Sequence, residues 1–170
     1  MQVASVKLYS LNYNEAKSYI AVALFVVGNI LLPQLCHLMP QGGMVWLPIY
    51  FFTLVGAYKY GWKVGLMTAI LSPLCNNLLF GMPATALLVP IFAKSTILAL
   101  AAGYVASRHG KVSLLALAAV VATYQVVGGA FEWAWTGSLA AAAQDFKLGI
   151  PGMLTQIVGG YLFIKYILKR

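Results

Sequence analysis

Between Lys17 and Leu168 the chain is a succession of apolar stretches, about 17–32, 44–58, 62–80, 84–107, 112–135 and 150–168, each cut from the next by proline, glycine or charge. A helix rises about 1.5 Å per residue, so about 20 residues cross the hydrocarbon core of a bilayer. None of the stretches alternates with the period of two that a membrane barrel needs. Only 8% of the residues are charged, against about 25% in a soluble domain, which leaves too little polar surface to face water. A soluble globular protein, a disordered chain and a secreted disulfide scaffold are excluded together. The expected fold is an all-α integral membrane protein: one membrane domain over residues 1–170, with six transmembrane helices at the stretches above. Such a chain has no length left for a soluble domain, so any ATP-driven engine is expected on another polypeptide. No cleavable signal is expected in the polar segment from Met1 to Ser18.

The charges are distributed unevenly. With loops numbered alternately from the N-terminus, Lys7, Lys17, Lys59, Lys63, Arg108, Lys111, Lys165, Lys169 and Arg170 fall on one side, and Lys147 alone on the other, with Lys94 inside the fourth helix. Basic loops stay in the cytoplasm, which predicts both termini inside. Basic residues placed singly beside apolar runs signal topology, not nucleic-acid binding. Cys36 and Cys75 suit neither a disulfide framework nor a metal site and read as buried structural thiols.

Chemistry must come from the few polar groups inside the spans. Asn29, Asn76, Asn77, Lys94, Gln125, Glu132 and Gln156 all fall in the outer parts of their helices. Lys94 stands about ten residues, or about 15 Å, from the outer start of the fourth, too deep for its stem to reach the surface comfortably. Gln125, Gly128, Gly129 and Glu132 follow the i, i+3, i+4, i+7 spacing of one helix face. An outward-opening polar layer above an apolar floor suits a binder of small molecules. Three acidic residues and two histidines, scattered, cannot build a metalloenzyme, a two-metal site or a carboxylate dyad. Neither a nucleophile elbow nor a Walker loop is present. No enzyme activity, metal or cofactor is therefore expected. A channel would need polar groups through both halves.

Several local runs carry a family resemblance. They are Leu32-Pro33-Gln34-Leu35-Cys36-His37-Leu38, then Gly42-Gly43 with Leu47-Pro48-Ile49-Tyr50, and Gly56-Ala57-Tyr58-Lys59-Tyr60-Gly61-Trp62-Lys63-Val64-Gly65-Leu66. Ser72-Pro73-Leu74-Cys75-Asn76-Asn77 and Gly81-Met82-Pro83 follow. With six helices and both termini inside, the chain resembles the S component, the substrate-binding membrane subunit, of energy-coupling factor (ECF) vitamin transporters. The resemblance implies capture of a water-soluble vitamin or cofactor precursor in an outward-facing pocket, in a prokaryotic plasma membrane. It also implies two kinds of partner, an ECF transmembrane coupling subunit and two cytoplasmic ATPases. Under it, Lys94, Gln125, Glu132, Trp133, Gln156, Asn76 and Asn77 contact substrate, with Lys94 either meeting an anionic group of the ligand or pairing with Glu132. Pro33, His37, Gly42 and Gly43 in the first loop, and Gly81 and Met82 in the third, form the gates. Ala16, Ala21 and Ala23 give the first helix a small-residue coupling surface, without the strict Ala-xxx-Ala spacing of many family members. The alternative is a stand-alone facilitator or secondary transporter using the same pocket. A scaffold subunit with no ligand would leave the intramembrane lysine unexplained.

Overall fold

The structure, a computed structural model, describes residues 7–168. Among them every regular element is helical. Four helices are long and apolar enough to cross a membrane: Ala16–His37, Trp62–Phe80, Thr85–His109 and Leu114–Thr136. The chain is a multi-pass α-helical membrane protein. The other two predicted spans are both interrupted, and the interruptions shape the molecule.

The first helix, α1 (Ala16–His37), runs through Pro33 rather than stopping there. Proline withholds the N–H that would bond the carbonyl four residues back, which is that of Asn29. That carbonyl accepts instead from Asn76 Nδ2 at 2.9 Å, so the helix continues and the first loop shrinks to residues 38–41. The second predicted span, by contrast, breaks. A residue before proline is driven out of the α region, and Leu47, before Pro48, takes φ 46° and ψ 46°. The stretch becomes a short α2 (Gly42–Trp46), a tight turn (Pro48–Tyr50) and α3 (Phe51–Tyr60).

Then α4 (Trp62–Phe80) occupies its predicted bounds, and α5 (Leu88–His109) follows a turn at Thr85–Leu87. Next, α6 (Leu114–Thr136) is capped by Ser113, whose hydroxyl accepts from Ala116 N. The predicted loop after it is itself mostly helix, α7 (Leu139–Leu148), capped in the same way by Ser138. The last predicted span is a rod over 150–167 that begins as α8 (Ile150–Leu154) and is π-wound at Thr155–Gly159 and Phe163–Ile167. The end of the last predicted stretch is followed by Lys169 and Arg170, which lie outside the described residues.

In the bundle α5 packs against α3, α4 and α6, while α1 covers α3 and α4. Leu54, Tyr58, Val64, Leu98, Leu117 and Val120 form its fully buried middle. Small residues set the spacing: a Cβ on Gly65 would lie 2.4 Å from that of Ala57, closer than any packed pair, which is how helices in lipid approach. The outer faces are as apolar as the core. Ile20, Leu24, Val27 and Leu31 make one exposed stripe on α1, as expected when the surrounding solvent is lipid.

The two ends differ. Lys17, Lys59, Lys63, Arg108, Lys111 and Lys165 gather at one, where Tyr9 N and Leu11 N donate to the carbonyls of Lys59 and Tyr60, and Tyr58 Oη donates to Lys111 O. The turns at 38–41, 81–84 and 137–138, together with α2 and α7, gather at the other.

Candidate functional site

A cavity of about 920 Å³ opens at the end away from those basic residues. Its walls are the first loop and α2, the Gly81-Met82-Pro83 turn, the first turns of α5, the end of α6 and α7. All six predicted gate residues line it: Pro33, His37, Gly42, Gly43, Gly81 and Met82. Pro33 does so from within α1 rather than from a loop. Gly42 has no alternative, since a Cβ there would sit 1.9 Å from the carbonyl oxygen of Cys36. Both cysteines are free thiols, Cys36 buried and Cys75 half-buried.

The polar wall centres on Lys94, 1% exposed on α5. Its Nζ donates to Glu132 Oε2 at 2.5 Å and to Asp145 Oδ2 at 2.6 Å. Lys94, Glu132 and Asp145 all line the cavity. The anionic partner, expected from a substrate or from Glu132, is thus supplied twice over by the chain. Gly128 makes the approach possible: a Cβ there would lie 2.6 Å from Lys94 Cγ, whereas one on Gly129 would meet nothing within 4 Å. The shared glycine face is therefore two different positions, one under the lysine stem and one in open space.

Asn76, 1% exposed, also lines the cavity. Its amide nitrogen donates to the carbonyls of Asn29 and Ser72, each at 2.9 Å. Its Oδ1 is buried and has no partner. Asn77 does not line the cavity; its Nδ2 donates to Pro83 O at 2.8 Å and holds the gate turn from behind.

The remaining predicted contacts lie elsewhere. Gln156 is buried beneath the cavity floor, accepting from Tyr124 Oη at 3.0 Å and donating to Leu47 O at 3.4 Å. It therefore secures the carbonyl at the helix break. Gln125, also buried, sits two turns deeper on α6 than Glu132, outside the cavity lining. Trp133 is half-exposed on the outer surface, and Trp135 stacks on Phe131 beside it, ring centroids 6.3 Å apart. That arrangement is an interfacial aromatic belt. Of the predicted coupling surface, Ala16 and Ala23 are exposed, but Ala21 faces the bundle interior with Val22 and Phe25.

Asp145 and Tyr50 are the residues the sequence reading left out of the site. Asp145 falls between the last two predicted stretches, yet Ser138 followed by Leu139 and four alanines signals a capped helix there. Tyr50 lines the floor, its ring 5.3 Å from that of Tyr124.

Comparison with protein-family models, curated proteins and solved structures finds no match to this chain. The site has to be read from its own chemistry.

Proposed function

We propose that this chain is the substrate-capture subunit of an ECF-type importer, an S component that binds a water-soluble vitamin or cofactor precursor. The observation that carries the reading is the position and construction of the cavity. It lies at the end opposite the basic loops, which the positive-inside rule turns toward the exterior. Its volume is that of a small-molecule site, typically about 300–1,000 Å³, and its rim is made of Gly- and Pro-rich turns that can move as lids. In this reading α2 with α3, and the rod over 150–167, complete six membrane passes with both termini in the cytoplasm of a prokaryotic cell. The residues at the cavity bind rather than catalyse. No nucleotide site is assigned to the chain, so transport draws on a membrane coupling subunit and two cytoplasmic ATPases. The exposed Ala16 and Ala23 lie on the face of α1 left for that contact.

Two measurements test the proposal together. Native mass spectrometry of the detergent-purified chain is expected to show one small molecule per chain. Uptake of that molecule in cells is expected only when a coupling subunit and its ATPases are co-expressed. Uptake by the chain alone would establish the facilitator instead. A chain that purifies empty and supports no uptake would remove the capture role.

A further inference from the structure

The chain has three acidic residues, and two of them converge on one lysine. With all three groups ionised, the Lys94–Glu132–Asp145 cluster carries one negative charge more than it neutralises. His37, exposed at the rim, is the other nitrogen base lining the cavity, and Lys147 on α7 is exposed and outside the lining. A surplus charge against a membrane interior is costly unless a partner or water meets it. Asp145, about a quarter exposed at its side chain, is the member that faces the open space.

A second, independent feature points the same way. Among the described residues three buried polar atoms lack a partner, Gln34 Nε2, Ser95 Oγ and Asn76 Oδ1, and only Asn76 belongs to the cavity wall. Both amide protons of Asn76 are committed to carbonyls on α1 and α4. The network thereby fixes which end of the amide is oxygen, and leaves a buried acceptor without a donor in a residue of the cavity wall. Apart from His37, Gln41, Tyr50 and Gln144 the rest of the wall is apolar and adaptable, with Met39, Met44 and Met82 around it.

We propose that the cavity selects an organic cation: a vitamin-sized molecule with an apolar or ring body and a positively charged nitrogen. The charge rests against Asp145 and Glu132, and a donor of the same molecule reaches Asn76 Oδ1. Lys94 is then a positioning residue, the cation that holds the two neighbouring carboxylates in place. This deepens the capture reading and rests on it. A cavity of about 920 Å³ is far larger than a bare metal ion, so the cation is organic.

The test uses the full chain in detergent, with thermal unfolding and titration calorimetry as readouts. The probes 1-methylnicotinamide, nicotinamide and nicotinate present one ring as a cation, a neutral molecule and an anion, and thiamine and biotin add a larger cation and a larger anion. Saturable stabilisation by at least one of the cations and by neither anion is expected. Asp145→Asn should weaken the responding cation about tenfold or more, the order expected when one member of a close charge pair is removed. Glu132→Gln is a second variant of unchanged shape, and Lys147→Gln is the control that leaves affinity unchanged. Saturable binding of an anion or of nicotinamide with equal affinity would overturn the proposal. So would an equal response to sodium chloride, the absence of any response to the cations, or cation binding unchanged in both carboxylate variants. If the molecule that co-purifies is anionic or uncharged, this inference fails while the capture reading stands.

Discussion

Two buried polar clusters lie within one bundle, and they are built on opposite principles. Around Asn29 everything is neutral and closed. Its Nδ2 donates to Thr53 Oγ1 at 3.2 Å and Ser72 Oγ at 3.0 Å, its Oδ1 accepts from Phe52 N at 3.2 Å, and its backbone carbonyl accepts from Asn76. That node ties α1 to α3 and α4 where Pro33 and the break at Leu47 have each disturbed a helix. Around Lys94 the groups are charged, unequal in number and open to a cavity. A saturated neutral network rigidifies a membrane bundle; an unbalanced charged one beside open space awaits a partner. Asn76 links the closed cluster to the cavity, its nitrogen bonded within the cluster and the residue itself part of the cavity wall.

The largest effect is expected where the charged cluster is cut. Among the described residues Lys94 is the only cation paired with Glu132 and Asp145, and Lys94→Met leaves the two carboxylates without it. Breaking a buried ion pair from one side costs about 3–5 kcal/mol. The variant should therefore unfold well below the wild type in a thermal or denaturant melt. Adding Glu132→Gln and Asp145→Asn should restore most of the loss, because no charge then remains to be matched. A Lys94→Met protein as stable as wild type would show that the cluster is not held by its ion pairs.

The closed cluster should respond differently. Asn29→Ala strands the Phe52 N–H and takes a donor from Ser72 Oγ and from Thr53 Oγ1, which keeps its own bond to Ile49 O, and a buried group left unpaired costs about 1–3 kcal/mol. Interhelical hydrogen bonds in membrane proteins average below about 1 kcal/mol each, so a total near 2 kcal/mol is expected, smaller than for Lys94. Charge neutralisation elsewhere should not rescue it. Rescue by Glu132→Gln would merge the two clusters into one and erase the distinction.

The legibility of the sequence divides along similar lines. Rare polar groups in apolar runs are legible as positions: Lys94, Glu132 and Asn76 wall the cavity, and the expected gate residues surround it. Helical phase alone did less well. It set Gln125 on the face of Glu132, but a face runs the length of the helix, and two turns of depth separate a wall from the packing beneath it. Trp133 failed for the complementary reason: one residue along a helix is about 100° around it, so the neighbour of an inward carboxylate points to lipid. Hydropathy also hid the break in the second stretch, because Leu47 and Pro48 are apolar enough to pass for a span while their backbone cannot continue one. Asp145 was hidden because α7, at ten residues, is too short to register as a membrane element.

The smallest effect separates the two adjacent glycines of α6. Gly128→Ala places a methyl group against Lys94 Cγ at 2.6 Å and within 3.4 Å of Lys94 Cα, so the side chain and the helix that carries it must both give. Overpacking costs about 1–3 kcal/mol. The lower end is expected here, because a lysine stem bends more easily than a packed ring. The stem anchors the ammonium, so its displacement should pull Nζ from at least one carboxylate. Gly129→Ala meets nothing within 4 Å, and alanine is the better helix former by about 1 kcal/mol; it should be neutral or slightly stabilising. Melting both variants in one detergent, alone and with Asp145→Asn, decides whether the loss at Gly128 acts through the cluster. A loss that vanishes in the Asp145→Asn background belongs to the open charged region. One that persists unchanged belongs to the contact between α5 and α6, and the glycine then spaces helices as Gly65 does.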